Sequence, residues 1–373
     1  MKIKIINNEF FKNAILKGNT ALLDNFQPSV IERKVGDDVF FEIQKNSDHH
    51  SINEKITKIV LSHIPINSSA CGFVQGKSYF DFLKPHIHGY YFLRLDIKKF
   101  FHSIAFNEIQ SLLKDCFSSD KEKSKYSPLD IAIMAVTHKV TETFLDEDLK
   151  GKDILPIGFS SSPVISNILF RRIDILIQKY CEDKKIIYSR YADDLLFSSS
   201  ESKFLQGEQF EKEISIYISS LSLTLKSSKR KSCENTISLN GYVIQNTKKQ
   251  SIEKQKTFSF LKIHKEDPVG TIRLSDKKIK IIKKLVSYLR KNKSATFIME
   301  NLFNLNFIKF KKEFADDKVF YRKFSQDQLQ NKLKGYRSYL LSLIIFNNRN
   351  GCVDKNCLKK ANEIIKELER KIL

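Results

Sequence analysis

The sequence predicts an α+β fold, an antiparallel sheet with helices on one face. Three observations predict it. The run Tyr90-Tyr91-Phe92-Leu93-Arg94-Leu95-Asp96-Ile97 alternates as a half-buried strand does. Two β-prone runs at 186–191 and 195–198 flank Tyr191-Ala192-Asp193-Asp194 as the arms of a hairpin. Apolar residues at helical spacing fill the intervals, so the order along the chain is strand, helices, hairpin, helix, strand.

Each element follows from its residues. Residues 1–68 are mixed and charged, with a short amphipathic helix expected over 52–64. Residues 69–77 form a small-residue loop whose Gly72 and Gly76 permit tight backbone geometry. Strand 90–97 puts Tyr91, Leu93, Leu95 and Ile97 on one face and Phe92, Arg94 and Asp96 on the other. The stretch 105–150 reads as a partly charged helical layer behind the sheet. Residues 155–163 are a turn feeding a helix, with Ser162 as N-cap and Pro163 as first helical residue. Val164, Ile165, Ile168, Leu169, Leu176 and Tyr180 carry helical spacing up to the hairpin. A further amphipathic helix is expected over 210–225 and a further strand over 237–244. Residues 246–257 resemble a polar, basic connector. Ser275 then caps a helix with Ile279, Ile282, Leu285, Val286 and Leu289 in one stripe and Lys277, Lys280 and Lys284 opposite.

Composition points to a polyanionic partner. The 373 residues carry 64 Lys and Arg against 43 Asp and Glu, a formal +21. Between Lys226 and Lys293 stand 19 basic and 5 acidic residues, +14 of that total. A stripe of this kind attracts phosphate backbones and releases their counterions. Length allows two to three lobes. No run of 18 apolar residues exists, so no membrane partner is expected, and the amino terminus is too polar for a signal-peptide core. The six cysteines are scattered and are expected as reduced thiols in the cytoplasm; Cys352 and Cys357 lack a second ligand pair for zinc.

The chemistry lies in three aspartates. Asp96 ends one strand, and Asp193 and Asp194 sit at the hairpin tip. Carboxylates delivered this way can hold two divalent cations for in-line displacement at phosphorus. Hard oxygen ligands with open positions suit Mg²⁺, with Mn²⁺ as the alternative. The bland reading of the same residues is a polar turn and an acid at a strand end.

The motifs around these acids resemble those of reverse transcriptases, above all bacterial ones, retron-like and defence-associated. Asp96-Ile97-Lys98-Lys99-Phe100-Phe101-His102-Ser103-Ile104 looks like the first palm motif, 155–167 resembles the second, and Ser189-Arg190-Tyr191-Ala192-Asp193-Asp194-Leu195 matches the metal-binding hairpin. The likeness runs from about Gly72 to Tyr242, more loosely to about Tyr339. It implies a right-hand polymerase: fingers over 1–89, an antiparallel palm over 90–245, and a basic helical thumb with C-terminal helices over 246–373, leaving no room for a further domain. It implies an RNA-directed DNA polymerase that adds dNTPs to a primer 3′-hydroxyl. Its partners would be an RNA template (a dedicated non-coding RNA) and a DNA product, with a second defence protein or another copy of the chain as further partners.

By resemblance, Asp96, Ile97, Asp193 and Asp194 make up the metal set, and Lys229 is the acid for pyrophosphate. Lys99 and Phe100 meet the triphosphate through the main chain, and Phe101 is a steric gate against a 2′-hydroxyl. Ile157 and Gly158 border the nucleotide; Gly158 permits close approach to the nascent pair. Gly241 and Tyr242 belong to the strand that steadies the primer end, and Gly335-Tyr336 to a thumb turn. The chain also departs from the family. Ile157 replaces a usual glutamine, 82–86 keeps only the histidine of a retron motif, and Leu239-Asn240-Gly241 keeps only its glycine. Arg33, Lys34 and Lys45 are the candidate basic contacts of the fingers. The rival readings are retron-type msDNA synthesis, untemplated or protein-primed synthesis, and an RNA-binding defence subunit whose catalysis is dispensable.

Overall fold

The structure is a computed structural model that describes residues 5–35, 38–246, 270–305 and 318–372. It separates into two units, Met1–Pro85 with Tyr91–Ser232, and His86–Tyr90 with Cys233–Leu373.

The first unit begins with helical turns, then the hairpin β1 (Val30–Val35) and β2 (Asp38–Ile43), antiparallel with Val30 opposite Ile43. Strand alternation sends Val39, Phe41 and Ile43 into a small core with Val140, Phe144, Ile154 and Phe159. Helix α1 (Asp48–Lys55) starts at Ser47, whose hydroxyl accepts from His50 N, and runs on through a π turn, Ile56–Val60, and a 3₁₀ turn, Leu61–His63. The helix expected over 52–64 is therefore present but begins earlier. After β3 (Tyr91–Asp96) come α2 (Phe106–Lys114) and α3 (Pro128–Val136), the latter closed by a capping box between Ser127 and Asp130. The rest of the expected helical stretch 105–150 is not helical. Beyond Val136 the chain turns into a short ladder, β4 (His138–Lys139) with β5 (Asp153–Ile154).

Helix α4 (Ser162–Glu182) corrects two expectations. Ser162 is its first residue, not its cap, and its hydroxyl donates to Pro156 O at 2.6 Å. The buried stripe is Asn167, Phe170, Asp174, Ile177 and Cys181, with Ile165 and Ile173 beside it; Leu176 is exposed. Of the expected residues, Ile165 is buried and Val164, Ile168, Leu169 and Tyr180 pack against the core; apolar spacing cannot reveal the stripe's polar members. The hairpin β6 (Ile187–Tyr191) and β7 (Asp194–Ser199) follows, then α5 (Glu208–Ser219), which stops six residues short of the expected 225. The main sheet runs β6-β7-β3-β8, where β8 is Lys231–Glu234, the strand in which the chain leaves this unit. Leu93, Leu95, Ile97, Leu195 and Phe197 share one core with α2, α3, α4 and α5. Helices thus cover one face of an antiparallel sheet, as expected.

In the second unit the single strand expected over 237–244 is a hairpin, β9 (Thr236–Leu239) and β10 (Tyr242–Gln245), with β11 (Thr271–Leu274) on its other side. Asn240 and Gly241 turn it with φ of 45° and 91°, a two-residue loop that favours Asn-Gly. Ser275 caps α6 (Asp276–Arg290), accepting from Lys278 N. This helix buries Ile282, Leu285 and Val286 and exposes Lys277, Lys280 and Lys284. Helices α7 (Ala295–Phe303), α8 (Lys318–Asn350) and α9 (Lys355–Glu369) complete the unit. Gly335 and Tyr336 lie inside α8 and form no turn. The expected connector at 246–257 lies outside the described residues beyond Asn246. The described cysteines, all six, are free thiols.

Candidate active site

Strand register brings the three acids to one end of the main sheet. β3 pairs with β7 so that Asp96 stands directly opposite Asp194, and β6 pairs with β7 so that Tyr191 faces Asp194, leaving Ala192 and Asp193 as the two-residue turn. Ile97 N donates to Asp193 O at 3.0 Å, which ties the end of β3 to the turn. Lys226 N donates to Asp96 O at 2.7 Å, and this bridge leads straight into the 3₁₀ turn Ser227–Lys229. Lys229 thereby arrives beside the acids, its Nζ 2.7 Å from Asp96 Oδ2. Arg94, two residues before Asp96 on the same strand face, donates to Asp194 Oδ1 from Nε at 2.8 Å and from Nη2 at 2.5 Å.

Electrostatics follow from this crowding. Desolvation, then the charges of Asp194 and Asp96, push the Asp193 carboxyl above the usual carboxylate range. Asp194 is also raised by desolvation, against the pull of Arg94. The hydrogen bond to Asp96 raises the Lys229 ammonium. Acids held in this state favour a bound cation.

The turn is held from behind by contacts that the motif pattern does not reveal. Gly72 lies so close to the hairpin that a β-carbon there would stand 2.6 Å from Ala192 N. Asn167 Nδ2 of α4 donates to Gly72 O at 2.9 Å, and Cys71 N donates to Arg190 O at 2.7 Å. The small-residue loop is therefore laid along β6, and glycine is required by that approach. Beneath it, Arg190 and Asp174 form a fully buried ion pair, and Arg190 Nη1 reaches Ala192 O at 3.1 Å. A lone Arg in a β-run and a lone Asp on a helix stripe are the signal that could have found this pair, because buried charges occur with partners.

The remaining expected site residues are placed as follows. Ile97 is a core side chain, so only its main chain could reach a metal. Lys99 takes the left-handed conformation, φ 45°, ahead of the short turn Phe100–Ser103, and its Nζ pairs with Asp148 at 2.6 Å. Phe100 is buried against Phe170, whereas Phe101 is half-buried, with its ring centre 6.2 Å from Phe73. Phe73 in turn lies 6.3 Å from Tyr191, so an aromatic row leads to the hairpin. Ile157 O accepts from Phe41 N at 2.8 Å, and Gly158, φ 118°, is held so near Phe41 O that a β-carbon would approach to 2.3 Å. The close approach at Gly158 is thus to strand β2 of the chain itself. Asn53 of α1 pins the following serines, donating to Ser161 Oγ at 2.8 Å and accepting from Ser160 Oγ at 2.7 Å. Among the basic residues of the first segment, Arg33 pairs with Glu42 and Lys34 donates to Leu145 O.

The donor set fits divalent cations by chemistry: three carboxylates, all hard oxygen, at adjoining strand ends. Their oxygens are not gathered round one point. Among the described residues no group of three His, Cys, Asp or Glu side chains is close enough to hold an ion, and Arg94 and Lys229 pair with Asp194 and Asp96.

Comparison with known proteins identifies the family of the chain. Residues 43–265 match the family model described as reverse transcriptase (RNA-dependent DNA polymerase), more than half of the chain. Among curated proteins, the Retron Ec83 reverse transcriptase of Escherichia coli is 32% identical over 159 residues, 42% of this chain and 47% of that one. The Retron Ec86 reverse transcriptase of Escherichia coli is 27% identical over 148 residues, 40% of each chain. The Retron Mx162 reverse transcriptase of Myxococcus xanthus is 28% identical over 144 residues, 39% of this chain and 30% of that one. The chain thus spans less than half the length of these relatives. Among solved structures, telomerase from Candida albicans in complex with a fragment of telomeric RNA has a TM-score of 0.43 at 12% identity, covering 94% of this chain and 67% of that one. Apo telomerase from Candida tropicalis has a TM-score of 0.37 at 14% identity, covering 64% and 58%.

Proposed function

Because the chain belongs to the reverse transcriptase (RNA-dependent DNA polymerase) family, we propose that it copies RNA into DNA by extending a primer 3′-hydroxyl with dNTPs. The observation that carries the reading is the register of the main sheet: Asp96 opposite Asp194, with Asp193 in the turn between β6 and β7. In the family's right-hand architecture this sheet is the palm. We assign the β1–β2 hairpin to the fingers and the basic helices beyond residue 246 to the thumb.

Two divalent cations, Mg²⁺ by the hardness of the ligands, would activate the 3′-hydroxyl and stabilise the departing pyrophosphate. The chain's own residues do the rest. Asp96, Asp193 and Asp194 supply the ligand oxygens. Arg94 holds Asp194 by two donors to one oxygen, Oδ1, and Asp194 would offer its other oxygen to a cation. Lys229, once it leaves Asp96, is within a side chain's swing of the same acids and supplies a proton to pyrophosphate. Phe101 stands one row from Tyr191 and blocks a 2′-hydroxyl. The lysines of α6 bind the nucleic-acid backbone.

The retron relatives come from Escherichia coli and Myxococcus xanthus; we further propose a dedicated non-coding RNA as template and work in the bacterial cytoplasm, in defence against phage. Asp193→Ala with Asp194→Ala tests the reading. Mg²⁺-dependent incorporation on an RNA template should vanish while RNA affinity stays within about twofold, because phosphate contacts, not these acids, supply affinity. Unchanged incorporation would refute it.

A further inference from the structure

We propose that the buried Asp174–Arg190 pair positions the catalytic hairpin, its guanidinium fixing the Ala192 carbonyl and so the place from which Asp193 projects. The inference rests on the polymerase reading for what the hairpin does. Both side chains are 0% exposed. A buried ion pair is weak evidence for stability, because apolar side chains of similar volume hold a core at least as well. Its presence here therefore calls for a reason other than the fold.

The geometry supplies one. Arg190 Nε donates to Asp174 Oδ1 at 2.9 Å and Nη2 to Asp174 Oδ2 at 2.8 Å, a bidentate fork that fixes the guanidinium plane. Tyr188 Oη donates to Asp174 Oδ1 at 2.7 Å, and the Phe170 ring centre lies 4.4 Å from Arg190 Cζ, so the fork has no freedom to rotate. The one donor left pointing forward, Nη1, meets Ala192 O at 3.1 Å. Ala192 is the residue that most needs holding. Its φ is 55°, a conformation that L-residues with a β-carbon avoid, in the turn immediately before Asp193. Asp174 cancels the charge of Arg190, so the pair acts through a hydrogen bond and not as a counter-ion for the acids. Lysine cannot replace it, since one ammonium does not present two parallel donors to Asp174 and a third to Ala192. Asp174 comes from α4, and the same helix holds Gly72 through Asn167. One helix thus grips the hairpin from two sides.

The test compares wild type with Asp174→Leu/Arg190→Met and with Arg190→Lys. Three quantities are measured: the urea midpoint, Mn²⁺ affinity by electron paramagnetic resonance without nucleic acid or nucleotide, and kcat and KM for dNTP. The double variant should keep the wild-type midpoint or exceed it. Its Mn²⁺ affinity should fall on the order of 10–100-fold, as when an outer partner of a metal ligand is removed. Its kcat should fall on the order of 100-fold with KM little changed, the mark of misplaced groups. Arg190→Lys should show the same loss of Mn²⁺ affinity, so the inference is still tested if the double variant does not fold. A folded variant with wild-type Mn²⁺ affinity and kcat overturns it. If wild type incorporates no nucleotide, the polymerase reading fails, and Mn²⁺ affinity alone decides the positioning role.

Discussion

Phe101 is marked as a gate only by resemblance, and composition alone leaves it one phenylalanine among 29. The structure separates it from its neighbour: Phe100 enters the core, whereas Phe101 stays half-buried in the aromatic row that reaches Tyr191. Replacing Phe101 with Ala is predicted to lower the preference for dNTP over rNTP, as the ratio of kcat/KM, by roughly 10–100-fold, since an apolar wall rejects an added hydroxyl only by that order. An unchanged ratio would take the gate from Phe101. Arg94 shows the opposite case. It was readable only as a charge on the Asp96 face of the strand, and nothing in the sequence said that it would hold Asp194. Lys229 was placed by resemblance. Its bond to Asp96, and hence the closed state of that carboxylate, depends on the 224–226 bridge, a contact between distant segments that no local pattern encodes.

Elements with a single dominant cause could be read from the sequence. β3, the hairpin β6–β7 and the capped helix α6 each follow from alternation, a turn or a cap, and each is found within a few residues of its expected bounds. Elements shaped by polar partners could not. The stripe of α4 contains Asn167 and Asp174 because it must bind the hairpin as well as the core, and a search for apolar spacing finds the flank of that stripe but not its polar centre. Asn240-Gly241 is a strong turn signal, but the flanking residues read as one continuous strand, which conceals the β9–β10 hairpin. The sequence of 69–77 implies a tight loop, and the structure shows that it lies tight against the hairpin. Gly72→Ala tests that contact. With a β-carbon 2.6 Å from backbone that cannot yield, the variant should lose about 1–3 kcal/mol in urea denaturation. Its kcat should fall further than that loss of stability explains. A wild-type midpoint and kcat would show that the approach of loop to hairpin is slack.

Across the whole chain, net charge and motif order point to the same activity. The excess of +14 between Lys226 and Lys293 includes the exposed lysines of α6, a surface suited to phosphate backbones, while the acids stand together at the end of the palm sheet. Two units carry these features, and the palm sheet with all three aspartates lies within the first except where β8 leaves it. By the proposed function, this sheet end would hold two cations beside a growing strand. Anomalous diffraction from crystals grown with Mn²⁺, a primer on RNA template and an unreactive dNTP tests it most directly. Two manganese peaks are expected roughly 3.5–4 Å apart, bounded by Asp96, Asp193 and Asp194, with Lys229 turned from Asp96 toward the triphosphate. Nucleotide bound with no manganese at these acids, and Lys229 still on Asp96, would contradict it.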